Sequence, residues 1–251
     1  MRTTLYHGEP NGPSLTVLAT LFAKEVPAEL VRIDLARGER HALPCAREPL
    51  VAMSIEGEGP VLVADGEAMT DSVFIACYLD DVGRGPALRP ADPYERWQTM
   101  MWCRQTIERT APAAAYLGCR AHPPGAAAAL LQRIGSVDLR ARWQQILAGN
   151  FSADHLGDSR TKIRQAVDRI EKRIDGRQWL MGTFSIADLE SYAWLAGMVP
   201  LVPEAFAARP RTASWLARVK ASPAVARALS LARTPDPAAS WSVGPEINRW
   251  G

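Results

Sequence analysis

The chain has 251 residues, 47% of them apolar and 22% charged, with a formal net charge of +2. That composition excludes a disordered chain, and so small a net charge excludes nucleic acid or an anionic membrane as an expected partner. No apolar run reaches the roughly 18–20 residues of a membrane span, and the start MRTTLYHGEP lacks the apolar stretch of a signal peptide, so a cytoplasmic protein is expected.

In chain order, TTLYHG reads as a short strand that ends in a turn of Gly, Pro and Asn. SLTVLATLFAKEV follows as a helix with Leu15, Leu18, Leu21 and Phe22 on one face. ELVRIDL alternates as a second strand, and the charged, proline-bearing loop 38–57 has no periodicity. PVLVAD and EAMTD read as a hairpin around Asp65-Gly66, and SVFIACYLDDV closes the unit as a helix. GRGPALRPADP, residues 83–93, is a linker by its Pro and Gly density. Beyond it the strand signals stop. YERWQTMMWCRQTIERTAPAAAYLG opens a helical region. RTKIRQAVDRIEKRI carries Ile163, Val167, Ile170 and Ile174 on one stripe, and SIADLESYAWLAGM and TASWLARVKASPAVARAL are two further helices. The tail from Thr234 is expected to pack as coil. The expected organisation is α/β plus all-α: an α/β domain over 1–82, a linker over 83–93 and an all-helical domain over 94–251.

The four cysteines (Cys45, Cys77, Cys103, Cys119) and four histidines show no metal-ligand spacing, so free thiols and no metal are expected. The stretch GPVLVADGEAMTDS carries the chemistry. A proline opening an edge strand donates nothing to the ladder. If its peptide bond is cis, Gly59 turns its backbone N–H and C=O outward, where an extended peptide can pair with them. Asp71 and Ser72 stand at the start of a helix, where unpaired N–H groups and the positive dipole end favour a carboxylate. Ser72 can donate its hydroxyl there, and Asp71 can meet an ammonium. The plainer alternative is that Thr70, Asp71 and Ser72 only cap the helix.

The β-α-β-loop-β-β-α order with GPVLVADGEAMTDS resembles the glutathione S-transferase superfamily. TFSIADLESYAWL resembles that family's capping motif, Ser185 capping the helix and Asp188 returning the bond. The resemblance implies a thioredoxin-like domain followed by a helical bundle, with glutathione as co-substrate. It places Gly59 and Pro60 on the cysteinyl backbone and Asp71 and Ser72 at the glutamyl end. The thiol, which must ionise to act, then lies at the turn HGEPNGPS. Ser14 is the first candidate donor to it and Asn11 the second, with a plain helix cap as the alternative for Ser14; Tyr6 reads as a core aromatic. For the glycyl carboxylate the loop ARGERHALPCAREP offers Arg37, Arg40, His41 and Arg47. The resemblance points to His41, with a solvated basic loop as the alternative.

Three features resemble the bacterial β-etherases that cleave lignin-derived aryl ethers with glutathione: TLYHGEPNGPSLTVLATLFAKEV, RARWQQILAGNFSADHLGDSRTKIRQAVDRIEKRIDGRQWLMG, and the helical insertion ahead of the second. This implies an aromatic substrate in an apolar pocket. Trp97, Met100, Met101, Trp102, Ile107 and Tyr116 are candidates for its wall, or alternatively for core or dimer interface. The sequence departs from the family at Gly59, where valine is common, at Pro10 and Pro13 in the first turn, and in the extra length of 38–57. Two other readings follow: an inactive subunit stabilising an active paralogue in a heterodimer, or a general conjugating transferase. A homodimer or heterodimer is expected.

Overall fold

A computed structural model describes residues 2–52, 54–125 and 128–246. Strand β1 (Thr3–His7) is central, because Leu5 faces a core on one side while its neighbours pair on both edges. Helix α1 (Gly12–Ala23) follows, buried from Gly12 to Leu21. Strand β2 (Glu29–Arg32) lies parallel to β1, with Leu5 opposite Leu30. The loop 38–57 is not wholly irregular, since it holds a 3₁₀ turn at Glu39–Ala42 and a single-turn helix α2 (Pro49–Ala52). What fixes them is non-periodic: the buried Arg40 guanidinium donates to the carbonyls of Gly59 (3.1 Å) and Val51 (3.0 Å).

Strands β3 (Val61–Ala64) and β4 (Glu67–Met69) form the expected hairpin. Asp65 and Gly66 both take positive φ, 50° and 96°, the geometry that suits a two-residue turn to the twist of its strands. β3 runs antiparallel to β1, which completes a sheet ordered β2-β1-β3-β4. Helix α3 (Ser72–Val82) returns along the sheet and packs on α1.

From there the chain is helical. α4 (Pro93–Gln105) starts on Asp92, whose carboxylate accepts from the amides of Tyr94 and Glu95. It passes through a π-helical turn at Thr106–Thr110 into α5 (Ala111–Ala121). α6 (Val137–Leu147) and α7 (Ala153–Arg173) are capped by Ser136 and Ser152. α8 (Ile186–Leu195) is buried over its whole length, and short α9 (Pro203–Phe206) follows. The run TASWLARVKASPAVARAL, expected as one helix, is two: α10 (Pro210–Ala221) and α11 (Pro223–Leu229). Pro223 has no N–H to give and disfavours helical backbone before it, and Ser222 accordingly turns to ψ 138°.

The sheet and the helices share one core. Leu5, Leu18, Leu62 and Ile75 join Ile163, Leu189, Trp194 and Trp215 in a single apolar cluster, with α1 packed against both α8 and α11. Among the described residues the tail, to residue 246, is coil apart from a 3₁₀ turn at Pro237–Ala239, and it is not loose. Trp241 and Val243 are buried, the former beside Trp194. Among the described residues no helix is long and apolar enough to cross a membrane.

Candidate active site

The turn after β1 opens on a cleft of about 460 Å³ whose lining includes Asn11, Ser14, Arg32 and Glu58, with Ser240 and Trp241 of the tail across from them. Ser14 is not the helix cap. Helix α1 begins at Gly12, and Ser14 sits in its first turn, accepting the amide of Gly8 on its Oγ (3.0 Å). A hydroxyl that accepts one bond still has its proton to donate, and the N-terminal dipole end of α1 adds positive potential. Asn11 is the residue before the helix, and its Nδ2 donates to the carbonyl of Ser240 (3.0 Å). The two predicted thiol-end residues therefore share one cleft, with Asn11 spending a donor on the tail.

The start of α3 is different. Ser72 is fully buried, and its backbone N–H donates to Glu56 Oε2 at 2.7 Å. Its Oγ contacts Glu56 Oε1 and also Glu190 Oε2 at 3.1 Å. Glu190, on α8, accepts further from Thr16 Oγ1 (2.8 Å) and Trp194 Nε1 (2.6 Å). One serine hydroxyl has one proton and cannot serve two carboxylates. The count closes when Glu56 keeps its own proton and donates it to Ser72 Oγ, which donates onward to Glu190. The electrostatics agree: burial, with the like charges of Glu190 and Asp71, pushes Glu56 well above the usual carboxylate range, and burial raises Glu190 too. Asp71 occupies the cap position without capping. Its Oδ1 accepts from Ser54 Oγ (2.9 Å) and from the amide of Glu56 (3.1 Å). It holds φ at 66°, a conformation that for a non-glycine residue costs on the order of 1–3 kcal/mol and persists only where neighbours enforce it.

Of the remaining predicted residues, His41 meets Glu58. His41 Nε2 and Trp143 Nε1 both donate to Glu58 Oε1 at 2.7 Å, while its Oε2 is buried without a hydrogen-bond partner. Burial raises the Glu58 carboxyl, but the bond and charge of His41, Arg40 and Trp143 outweigh it and hold the group below its usual range. The expected cis bond is corrected. Among the described residues no peptide bond is cis, so Pro60 follows a trans bond, and the carbonyl of Gly59 is engaged by Arg40 rather than free to pair with a peptide. The tail completes the enclosure. Val243 O accepts the Glu58 amide (2.8 Å) and Ser242 Oγ donates to Glu58 O (3.4 Å).

Of the expected aromatic wall, Tyr116 lines a cavity of about 250 Å³ between α5, α6 and α7, which Cys119, Gln145 and His155 also line. Trp102 is core, its Nε1 donating to Ser191 Oγ (2.9 Å) beneath the Arg169 guanidinium, and Trp97 is 54% exposed. Cys119 is no rival nucleophile, since burial pushes its thiol up to about 12.

Sequence reasoning missed Glu56, Glu58 and Glu190. Two signals were present: EGEG directly before a strand-opening proline, and a second acid, Glu190, two residues after the capping Asp188 in ADLESYAWL.

No protein-family model matches the chain. Protein LigF of Sphingobium sp. (strain NBRC 103272 / SYK-6) is 26% identical to it over 244 residues, 90% of this chain and 92% of LigF. The crystal structure of beta-etherase LigF from Sphingobium sp. strain SYK-6 matches 92% of this chain and 99% of that one, with a TM-score of 0.79 and 25% identity. Two more distant structures share the fold. One is glutathione transferase F7 from Populus trichocarpa (23% identity, TM-score 0.66, 90% and 99% covered). The other is a glutathione transferase family member from Pseudomonas fluorescens crystallised with two glutathione bound (18%, 0.68, 91% and 92%). Local motifs, sheet order and whole-chain likeness agree: the chain has the fold of the glutathione S-transferase superfamily and is similar to its members over nearly its whole length.

Proposed function

We propose that the protein is a glutathione-dependent β-etherase. The carrying observation is the cleft at the start of α1, where Ser14 keeps a hydroxyl proton for a thiolate, in a chain similar to a beta-etherase over nearly its full length. Ser14, with Asn11 beside it, lowers the pKa of the glutathione thiol. The thiolate attacks the carbon bearing the aryl ether, a C–S bond forms, the C–O bond breaks, and the electron pair leaves on a phenolate. Such a displacement asks for in-line placement more than for a protein acid or base. The reading takes residues 1–82 and 94–251 as two domains joined by 83–93. It also takes a dimer as the working form, supported by exposed Phe74, Tyr94 and Trp97. These lie on α3 and α4, which touch where Cys77 Sγ meets Met100 Sδ at 3.7 Å.

The test is release of a phenol from a β-aryl ether in the presence of glutathione. Ser14→Ala should slow it about 10- to 100-fold, the loss of one hydrogen bond to a charged group. Conjugation of simple electrophiles without ether cleavage would move the assignment to a general transferase. A second reading, an inactive subunit of a heterodimer, is favoured by one observation: Glu56 and Glu58 already engage Ser72 and His41. A chain that neither binds glutathione nor releases phenol, alone or after changes at those glutamates, would fit it.

A further inference from the structure

Glutathione carries two carboxylates, one on its glutamyl end and one on its glycyl end. The reading above assigns Ser72 at the start of α3 to the first and His41 to the second. Both groups already hold a carboxyl of this chain, and the two carboxyls come from residues separated by a single glycine. Glu56 sits on the Ser72 amide and hydroxyl. Glu58 sits on His41 Nε2 at 2.7 Å, and its second oxygen, buried without a partner, belongs to a side chain that lines the cleft beside Ser14. We propose, on the basis of the glutathione reading, that Glu56-Gly57-Glu58 is a built-in competitor that fills both carboxylate receptors and sets the protein's affinity for glutathione.

The geometry around the segment supports a device rather than an accident of folding. Gly57 takes φ 89°, and a Cβ there would lie 2.6 Å from the carbonyl oxygen of Val243, so only glycine lets the two glutamates splay to their separate receptors. The same tail residue accepts the Glu58 amide, which ties the competitor to the strap that closes the cleft. Removal of Glu56 leaves an amide at a helix N-terminus that suits an incoming carboxylate, and a hydroxyl whose single proton can turn to it from Glu190. Removal of Glu58 frees His41 and deletes a negative charge that the glycyl carboxylate would otherwise face. The charged and titratable groups facing Glu56 are Glu190 from α8 and Asp71 at the start of α3. Neither is a cation, so nothing but hydrogen bonds and packing retains it.

The experiment is calorimetric titration of the full chain with reduced glutathione, comparing the parent, Glu56→Ala, Glu58→Ala and the double variant, with thermal melts to establish folding. Each single change should tighten binding about tenfold, and the double change more. Ser72→Ala on the Glu56→Ala background should take back part of the gain from Glu56→Ala, since the amide remains and the hydroxyl is lost; a gain left whole overturns Ser72 as the receptor. If Glu56→Ala does not fold, Glu56→Asp, which withdraws the carboxyl by one methylene, becomes the deciding variant with the same expectation. A parent that binds glutathione while the folded variants bind it equally or more weakly overturns the competitor and leaves the substrate reading standing. Folded proteins that all fail to bind overturn both.

Discussion

Helices α3 and α8 start alike in sequence, each on a serine with an acid beside or near it, and they start differently in space. At α8 the acid is local. Asp188, three residues into the motif, accepts from the amides of Ser185 and Leu180, from Ser185 Oγ and from Trp215 Nε1. At α3 the acid beside the serine points away, and the group that takes the Ser72 amide is Glu56, sixteen residues earlier in the chain. A helix start satisfied from within its own turn is a structural joint. One satisfied by a side chain from a separate loop is, on the competitor proposal, a receptor with an exchangeable occupant. That difference gives the two sites different stakes in stability.

The largest effect should come from the local joint. Asp188→Ala strands two backbone amides, a serine hydroxyl and an indole N–H in a buried place. It should cost about 3–5 kcal/mol, read as a lower urea midpoint with an unchanged slope. Glu56→Ala should cost much less, about 1–2 kcal/mol, because it removes a neutral carboxyl that meets one amide and one hydroxyl, against four donors at Asp188. Equal costs at the two sites would erase the distinction between joint and receptor.

Titration sharpens it further. Glu56 is raised by burial and by its acidic neighbours, and Asp188 is raised by burial to about 6. A raised acid binds its proton more tightly folded than unfolded, so its contribution is present at low pH and is lost as pH rises through the folded value. Glu56→Gln keeps an oxygen for the Ser72 amide and an N–H₂ in place of the acid proton, but does not ionise. Relative to the parent it should gain about 1 kcal/mol as pH goes from about 5 to about 8. A pH-independent difference between the two proteins would show that Glu56 is already ionised in the fold, against the hydrogen count at Ser72.

What could be read from sequence follows the same line between local and distant. The hairpin at Asp65-Gly66, the α1 stripe and the Ser185–Asp188 box rest on spacings of a few residues, and each formed where the spacing put it. The break at Pro223 is equally local, but the apolar pattern runs through it and masks it. The carbonyl of Gly59 answers to Arg40 nineteen residues away, and Glu58 answers to Trp143, 85 residues away. Neither pairing leaves a mark on periodicity. So Ser72 and His41 read as open receptors, although the residues that fill them stood in plain sight as EGEG.

The smallest prediction concerns a third helix start, where the cap is local like that of α8 but exposed. Ser152 Oγ accepts the amide of His155 at 3.2 Å at the head of α7. Water can replace that bond, so Ser152→Ala should cost only about 0.5–1 kcal/mol, measurable as a small shift in thermal midpoint. Locality and burial then separate. If Ser152→Ala is as mild as this while Asp188→Ala is severe, burial sets the size of a cap's contribution, and locality only decides whether sequence reveals it. A loss at Ser152 approaching that at Asp188 would mean that α7, whose apolar stripe of Ile163, Val167 and Ile170 packs into the shared core, depends on its first turn for the docking of the whole helix.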